Sequence, residues 1–434
     1  MTRTFAVIGA GAGGLCAARH LIAQDIEVEI FELGSHIGGL WVYENDSGMS
    51  PAYQSLHINS ETKVSTVTDF PFPDPDILYP DHAQMADYFV RYADHFDLTR
   101  RIRFRHGVQT VERVGAQYRI TFQSGESRQF DGVVVATGHQ SVPRHPPQVA
   151  GFAGTYLHAH SYRVPAPFAD QRVLVIGPGN SGVDIAADLC THTKLTTLSA
   201  RSPVLIMPRM MFGAPNSRTL LKLEQPFLPW SWRVWIRTQL TQIFHGKMEN
   251  WGFRTPTGRT HPISHPTLIS HIAWRRIAVK PGIAGVNGHS VVFSDGCEEH
   301  FDAIIAATGY TTTIPFLGDD LSPLSPGSAQ LKLWQRVAHP AHDSLYFIGF
   351  FDVTGGSNIR MMEDQAAFIT AMATGAVARP AEAEMNAAIA TEQAWMAGQF
   401  PHSPRYGLEL DPRRYRSMLA RSYRRNRAKK GARA

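Results

Sequence analysis

The chain has 434 residues, 43% of them apolar and 18% charged, which is enough for two domains with a large core and unlike a disordered polypeptide. Its formal charge of +5 is uneven: residues 411–434 hold ten Arg/Lys against one Asp, so the rest of the chain is net acidic. A nucleic-acid enzyme would carry its positive charge on a folded face, and no apolar run approaches the roughly 20 residues of a membrane span, so neither class fits. Cys16, Cys190 and Cys297 lie far apart with no Cys-x-x-Cys, which removes a local redox dithiol or paired zinc ligands and reads as reduced, structural cysteines.

The N-terminus enters the strand-like run TFAVIGAG within four residues, leaving no room for a signal peptide and making a cytoplasmic location the expectation. The strand runs into Gly9, Gly11 and Gly14 at GxGxxG spacing, then a helical segment and a second strand ending at Glu32. In such a unit the first glycine permits the tight turn, the second admits a pyrophosphate, and the third lets helix and strand approach. The helix N-terminus offers free N–H groups to the phosphates, and Glu32, 23 residues after Gly9, falls where a carboxylate accepts ribose hydroxyls.

Residues 81–96 open with an Asp-x-x-Gln capping pattern and carry Met85, Tyr88, Phe89, Tyr92 and Phe96 at helical spacing, which predicts a core-facing helix. Residues 101–130 alternate as short strands of a small antiparallel sheet. Two further apolar strands end alike, in Ala136-Thr137-Gly138 and Ala307-Thr308-Gly309-Tyr310, each feeding a tight turn near a nucleotide.

Between them lies a second unit, RVLVIGPGNSGVDIAADLCTHTKLTTLSAR, with Gly177, Gly179 and Gly182 at the same spacing and Asn180-Ser181 opening its helix. Counting 23 residues from Gly177 reaches Ala200, flanked by Ser199, Arg201 and Ser202 with no carboxylate. A guanidinium and hydroxyls bind a 2′-phosphate that an acid would repel. One site therefore takes an unphosphorylated ribose and the other a 2′-phosphate, a combination that FAD and NADPH satisfy.

Residues 204–262, with Trp230, Trp232, Trp235 and Trp251, read as helices packed on the NADPH domain, with a substrate lid or partner surface as alternatives. His261, His265 and His271 include a His-x-x-x-His, but Pro262 and Pro266 break the helix that would align them, so no metal is expected. A helix starting near Met362 would place Gln365 beside the cofactor, with its dipole favouring negative charge on reduced flavin. The basic tail reads as a solvated or frayed helix. The fold class is thus α/β, with two Rossmann-like dinucleotide-binding domains and the NADPH domain inserted into a discontinuous FAD domain. The expected segments are 1–163 and 301–405 for FAD, 164–300 for NADPH with 204–262 as an insertion, and 406–434 as a tail.

Phe152, Gly154, His158, Tyr162 and Arg163 stand between the two glycine turns at the spacing Phe-x-Gly-x-x-x-His-x-x-x-(Tyr/Phe)-(Lys/Arg). With these residues the chain resembles the flavin-containing monooxygenases among class B flavoprotein monooxygenases. Gly38-Gly39-Leu40-Trp41 resembles that family's Gly-Gly-x-Trp, adding Gly39, Leu40 and Trp41 to the cofactor residues. Residues 53–73 resemble the segment with its active-site asparagine, here Asn59, and Thr308-Gly309-Tyr310 fits its Ala-Thr-Gly-Tyr. The resemblance covers roughly residues 4–375 and fades in 204–262 and the tail.

That likeness implies a hinge role for 152–163 and chemistry in which NADPH reduces FAD and O2 adds at the flavin C4a. One oxygen atom of the resulting hydroperoxide then passes to an amine or sulfide. Asn59 would donate a hydrogen bond without supplying a proton. The likeness further implies a small-molecule substrate, the absence of the hydrophobic anchor of membrane-bound members, and a homodimer by family habit. Baeyer–Villiger oxidation of ketones, an uncoupled NADPH oxidase, a dithiol reductase and a non-catalytic nucleotide-sensing protein are the alternatives. Related Baeyer–Villiger enzymes place Trp and then Pro or Asp where this chain has Tyr162-Arg163, and a reductase lacks its cysteine pair here.

Overall fold

A computed structural model describes residues 2–223, 228, 230–261, 263–324, 330–353, 356–399 and 407–431. The chain divides into two compact units: Met1–Ser50, Thr62–Ser141 and Thr312–Ala434 form one, and Pro51–Glu61 with Val142–Thr311 form the other.

The first unit is built on a five-stranded parallel sheet in the order Leu345–Phe347, Gly132–Val135, Thr4–Ile8, Glu27–Phe31, Ile102–Arg103. Thr4–Ile8 is central and covered on both faces, so it is continuously apolar from Phe5 to Ile8 rather than alternating. The helices Ala12–Ile22 and Asn358–Ala373 pack side by side. The predicted antiparallel sheet forms as Val108–Val114, Gln117–Phe122 and Ser127–Phe130, with Tyr118, Ile120 and Phe122 turned inward at period two. These join Ala6, Ile8, Val133 and Val135 of the parallel sheet in one core.

The helix at 81–96 forms as His82–His95 behind a complete capping box: Asp81 accepts from the Gln84 N–H at 2.8 Å, and Gln84 accepts from the Asp81 N–H at 3.0 Å. Met85, Tyr88, Phe89 and Tyr92 are buried, while Phe96 is half-buried under the Arg19 guanidinium.

The tail differs from its reading as a solvated or frayed helix. Pro412–Gly431 is a docked helix that buries Tyr415, Leu419, Ser422 and Asn426, a stripe at helical spacing that the abundance of arginine concealed. Tyr415 donates to the Gln335 carbonyl at 2.8 Å, Tyr423 meets Phe368 edge-on, and Arg416 pairs with Asp364 at 2.7 Å.

The second unit repeats the plan. Its parallel sheet runs Ile277–Lys280, Leu195–Ser199, Arg172–Ile176, Ala303–Ala306, Thr155–His158, with the strand before the glycine turn again in the middle. Thr155–His158, inside the 152–163 motif, is an edge strand of this sheet, and the unit boundary falls earlier, at residues 141 and 142.

Between 204 and 262 the chain forms the strand pair Met210–Met211 with Ala214–Pro215, the strand Ile206–Met207, which pairs with Ile263–Ser264, and the helices Asn216–Leu223 and Trp230–His245. The second helix buries Arg237, Leu240 and Thr241 and turns Trp232, Trp235 and Ile243 outward at 58%, 57% and 70% exposure. Pro262 lies outside the described residues. Among the described residues no helix is long and apolar enough to cross a membrane, and all three cysteines are free.

Candidate functional site

Each glycine turn is closed by its own Ala-Thr-Gly strand. A Cβ on Gly9, where φ is +112°, would stand 2.6 Å from the Ala136 carbonyl oxygen, and one on Gly14 only 1.9 Å from the Gly9 oxygen. The second unit gives the same collisions: 2.6 Å between Gly177 and Ala307, and 1.9 Å between Gly182 and Gly177. Backbone cannot yield at such distances, so both turns demand glycine. Gly39 lies against Gly11 and opens the short turn Gly39–Trp41, with Leu40 exposed and Trp41 half-buried.

Neither following helix, Ala12–Ile22 after Gly11 or Asn180–Leu189 after Gly179, has a side-chain cap. The first-turn N–H groups of both are left to an external acceptor, and Asn180 and Ser181 sit at the second of these ends. Two uncapped helix ends, each behind a tight turn that admits only glycine, fit two dinucleotides.

Glu32 is 9% exposed and accepts from the Ala10 N–H and the Gly34 N–H, both at 2.8 Å. These contacts fix the carboxylate at the turn, and a carboxylate with about four acceptor positions keeps room for ribose hydroxyls. In the second unit Arg201 and Ser202 are exposed. Ser199 is not: it is buried and donates its proton to the Pro281 carbonyl at 2.7 Å, which corrects its reading as a phosphate ligand.

Gln365 is also corrected. It is fully buried, its Oε1 accepts from the Gly349 N–H at 3.0 Å, and its Nε2 donates to the Arg336 carbonyl at 3.3 Å. The helix begins at Asn358 under a Ser357 cap, four residues before Met362, so Gln365 lies two turns inside as a strut.

The 152–163 motif resolves into packing and hydrogen bonds within the second unit. A Cβ on Gly154 would meet the Asp302 oxygen at 2.4 Å, and Phe152 packs against the core under the sheet. His158 accepts from the His160 N–H at Nδ1 and donates from Nε2 to the Gly309 carbonyl, both at 3.1 Å. Burial first, then the neighbouring His145, pushes its pKa down to about 4. A neutral imidazole thereby pins the Thr308-Gly309-Tyr310 turn, while Tyr310 lies edge-on to the same ring. Tyr162 is buried and donates to Asp188 at 2.6 Å, and Arg163 donates to the His160 carbonyl at 2.7 Å. Thr137 and Gly138 occupy the corresponding turn of the first unit, with Gly138 at φ +72°.

Asn59 lies on Pro51–Glu61, through which no helix or regular strand runs. Its Oδ1 accepts from Arg209 Nη2 at 2.9 Å, so the Nδ2 end is the one presented for donation. Glu61, 2% exposed, accepts from Ser217 and from Arg218, each at 2.7 Å. Tyr53 donates to Asp184 Oδ2 at 2.9 Å, and His265 Nε2 lies 3.3 Å from Asp184 Oδ1. His265 Nδ1 accepts from the Leu268 N–H at 2.9 Å, so both ring nitrogens serve structural contacts. Burial pushes Asp184 up to about 6 and His265 down to about 3, so this imidazole donates as a neutral group. Arg209, Glu61, Asp184 and Arg218 were all missed by sequence reasoning; the only signal was a carboxylate two residues after the asparagine.

A profile of the flavin-binding monooxygenase-like family matches residues 2–415. Flavin-containing monooxygenase 5 of Mus musculus is 30% identical over 432 residues, covering 94% of this chain and 80% of that protein. Dimethylaniline monooxygenase [N-oxide-forming] 2 of Pan troglodytes is 31% identical over 413 residues, covering 89% of this chain and 76% of that protein. The solved S-allyl-L-cysteine S-oxygenase of Allium sativum has TM-score 0.73 at 26% identity, over 98% of this chain and 89% of that chain. With its two glycine-turn units, the chain belongs to the flavin-binding monooxygenase-like family and is an FAD- and NADPH-dependent oxidoreductase.

Proposed function

We propose that the protein transfers one oxygen atom from O2, at the expense of NADPH, to a soft nitrogen or sulfur nucleophile of a small molecule. FAD, once bound and reduced by NADPH, would supply the activation of O2 that no side chain provides. The observation that carries the reading is the Arg209 grip on Asn59, which occupies the amide oxygen and leaves the neutral amide N–H end for donation. Such a donor stabilises developing negative charge yet holds no acidic proton to deliver. An electrophilic oxygen donor needs that combination, because early protonation releases H2O2 instead.

Glu32 would hold the ribose of FAD, and Arg201 with Ser202 would receive the 2′-phosphate of NADPH. The backbone N–H groups beyond Gly11 and Gly179 would hold the two pyrophosphates. The N-oxide-forming and S-oxygenase names of two relatives, with the Tyr162-Arg163 ending, support nitrogen and sulfur over a ketone. The test is a product balance in which N,N-dimethylaniline, methyl phenyl sulfide and cyclohexanone are each incubated with NADPH and O2. N-oxide or sulfoxide accumulating with NADPH consumption is the expected result. A lactone alone would overturn it in favour of Baeyer–Villiger oxidation, and H2O2 alone in favour of an oxidase.

A further inference from the structure

We infer that residues 209–218 form a rigid mount that positions the Asn59 arm, a role that rests on the reading of Asn59 given above. An amide that must meet a reacting atom has to be held within about 0.5 Å and 10–20°. Asn59 receives no such rigidity from secondary structure, since Pro51–Glu61 carries neither a helix nor a regular strand. Its fixation comes from side chains reaching it from elsewhere in the same unit.

Two of those tethers leave one short stretch. Arg209, between the strands Ile206–Met207 and Met210–Met211, takes the Asn59 carbonyl oxygen at 2.9 Å. Ser217 and Arg218, in the first turn of Asn216–Leu223, take the two oxygens of buried Glu61, each at 2.7 Å. Asn216 joins these two grips into a single piece. Its N–H donates to the Arg209 carbonyl at 3.0 Å, and its side-chain Nδ2 donates to the Pro208 carbonyl at 2.9 Å and to Ser264 Oγ at 3.0 Å.

The Glu61 carboxylate makes the arrangement directional. A buried carboxylate is tolerable only while its oxygens are met by charged or polar donors. The arm therefore cannot lift away from the mount without stripping Glu61 of Arg218. The Glu61–Arg218 pair acts as a latch two residues from the amide, and Arg209 takes the oxygen end of the amide, leaving the N–H end for donation. Arg218 is thus a positioning residue that works through Glu61 and Asn59.

The test uses the full-length, FAD-loaded enzyme carrying Arg218→Ala, Arg218→Lys, Asn59→Ala, or Arg218→Ala with Asn59→Ala. FAD content and melting temperature check that each variant folds. Hydrogen–deuterium exchange of peptides covering 54–62 reads the arm directly, and sulfoxide formed per NADPH consumed, with methyl phenyl sulfide, reads its consequence. In Arg218→Ala, exchange of 54–62 should rise about tenfold while exchange across the parallel sheets stays unchanged. Sulfoxide per NADPH should fall about threefold at unaltered KM for NADPH, with partial recovery in Arg218→Lys. In the Asn59→Ala background, Arg218→Ala should produce no further fall.

Unchanged exchange of 54–62 in Arg218→Ala would overturn the mount. So would an equal fall in sulfoxide per NADPH whether or not Asn59 is present. If Asn59→Ala alone leaves the product balance intact while Arg218→Ala still frees the arm, the mount stands and the catalytic role of Asn59 falls.

Discussion

The Tyr162 phenol donates to the Asp188 carboxylate at 2.6 Å, fastening the motif that carries the edge strand of the second sheet to the last turn of Asn180–Leu189. Tyr162 is almost wholly buried, and its hydroxyl sits on the helix whose opposite end is uncapped. Tyr162→Phe keeps the ring and removes the bond, so it should cost about 1.5–3 kcal/mol, the range for a hydrogen bond to a carboxylate. A thermal or urea melt measures this cost. On the proposed reading, in which the uncapped end of this helix receives the pyrophosphate of NADPH, the KM for NADPH should rise with it.

Cofactor choice should rest on Arg201 and not on Ser199. Arg201→Ala should lower the preference for NADPH over NADH by about 10- to 100-fold, the worth of one or two charge-assisted hydrogen bonds. Ser199→Ala should leave that ratio unchanged while lowering the melting temperature, because the Ser199 hydroxyl is engaged by Pro281. Steady-state kinetics with the two nucleotides separates these outcomes.

His158 makes stability depend on pH in a stated direction. Its folded pKa of about 4 lies below the ordinary 6.5, so the unfolded chain binds the extra proton first. The contribution is complete above about pH 6.5 and is lost as pH falls toward 4. Protonation also removes Nδ1 as the acceptor for the His160 N–H. Melting temperatures between pH 4 and 7 should therefore fall less steeply for His158→Asn than for the native protein.

The docked tail permits a contrast between apolar and charged contacts. Tyr415→Ala removes a buried ring and its bond to Gln335, and should destabilise the protein by about 3–5 kcal/mol. Arg416→Ala, which breaks a half-exposed pair with Asp364, should cost about 1 kcal/mol or less. Urea unfolding of the two variants decides whether the stripe or the charge holds the helix down.

The features legible in the sequence are those that depend on near neighbours. Gly9, Gly14 and Glu32 stand at fixed offsets along a strand, turn and helix, and the Asp81–Gln84 box spans three residues. Gln365 was misread because its partners Gly349 and Arg336 arrive by strand order, which spacing does not encode. Arg218 and Glu61 meet across 157 positions, and Asn59 could be singled out only by family likeness. The tail was misjudged because eight arginines outweighed a stripe of four inward positions.

Pro51–Glu61 groups with Val142–Thr311 although the chain on either side of it belongs to the other unit. The second unit is therefore not an interchangeable cassette of consecutive residues. A chimaera that imports 142–311 from a relative and keeps its own 51–61 must still find a partner for Tyr53 at position 184 and partners for Glu61 at positions 217 and 218. Grafting for a new coenzyme preference would succeed only when both stretches travel together.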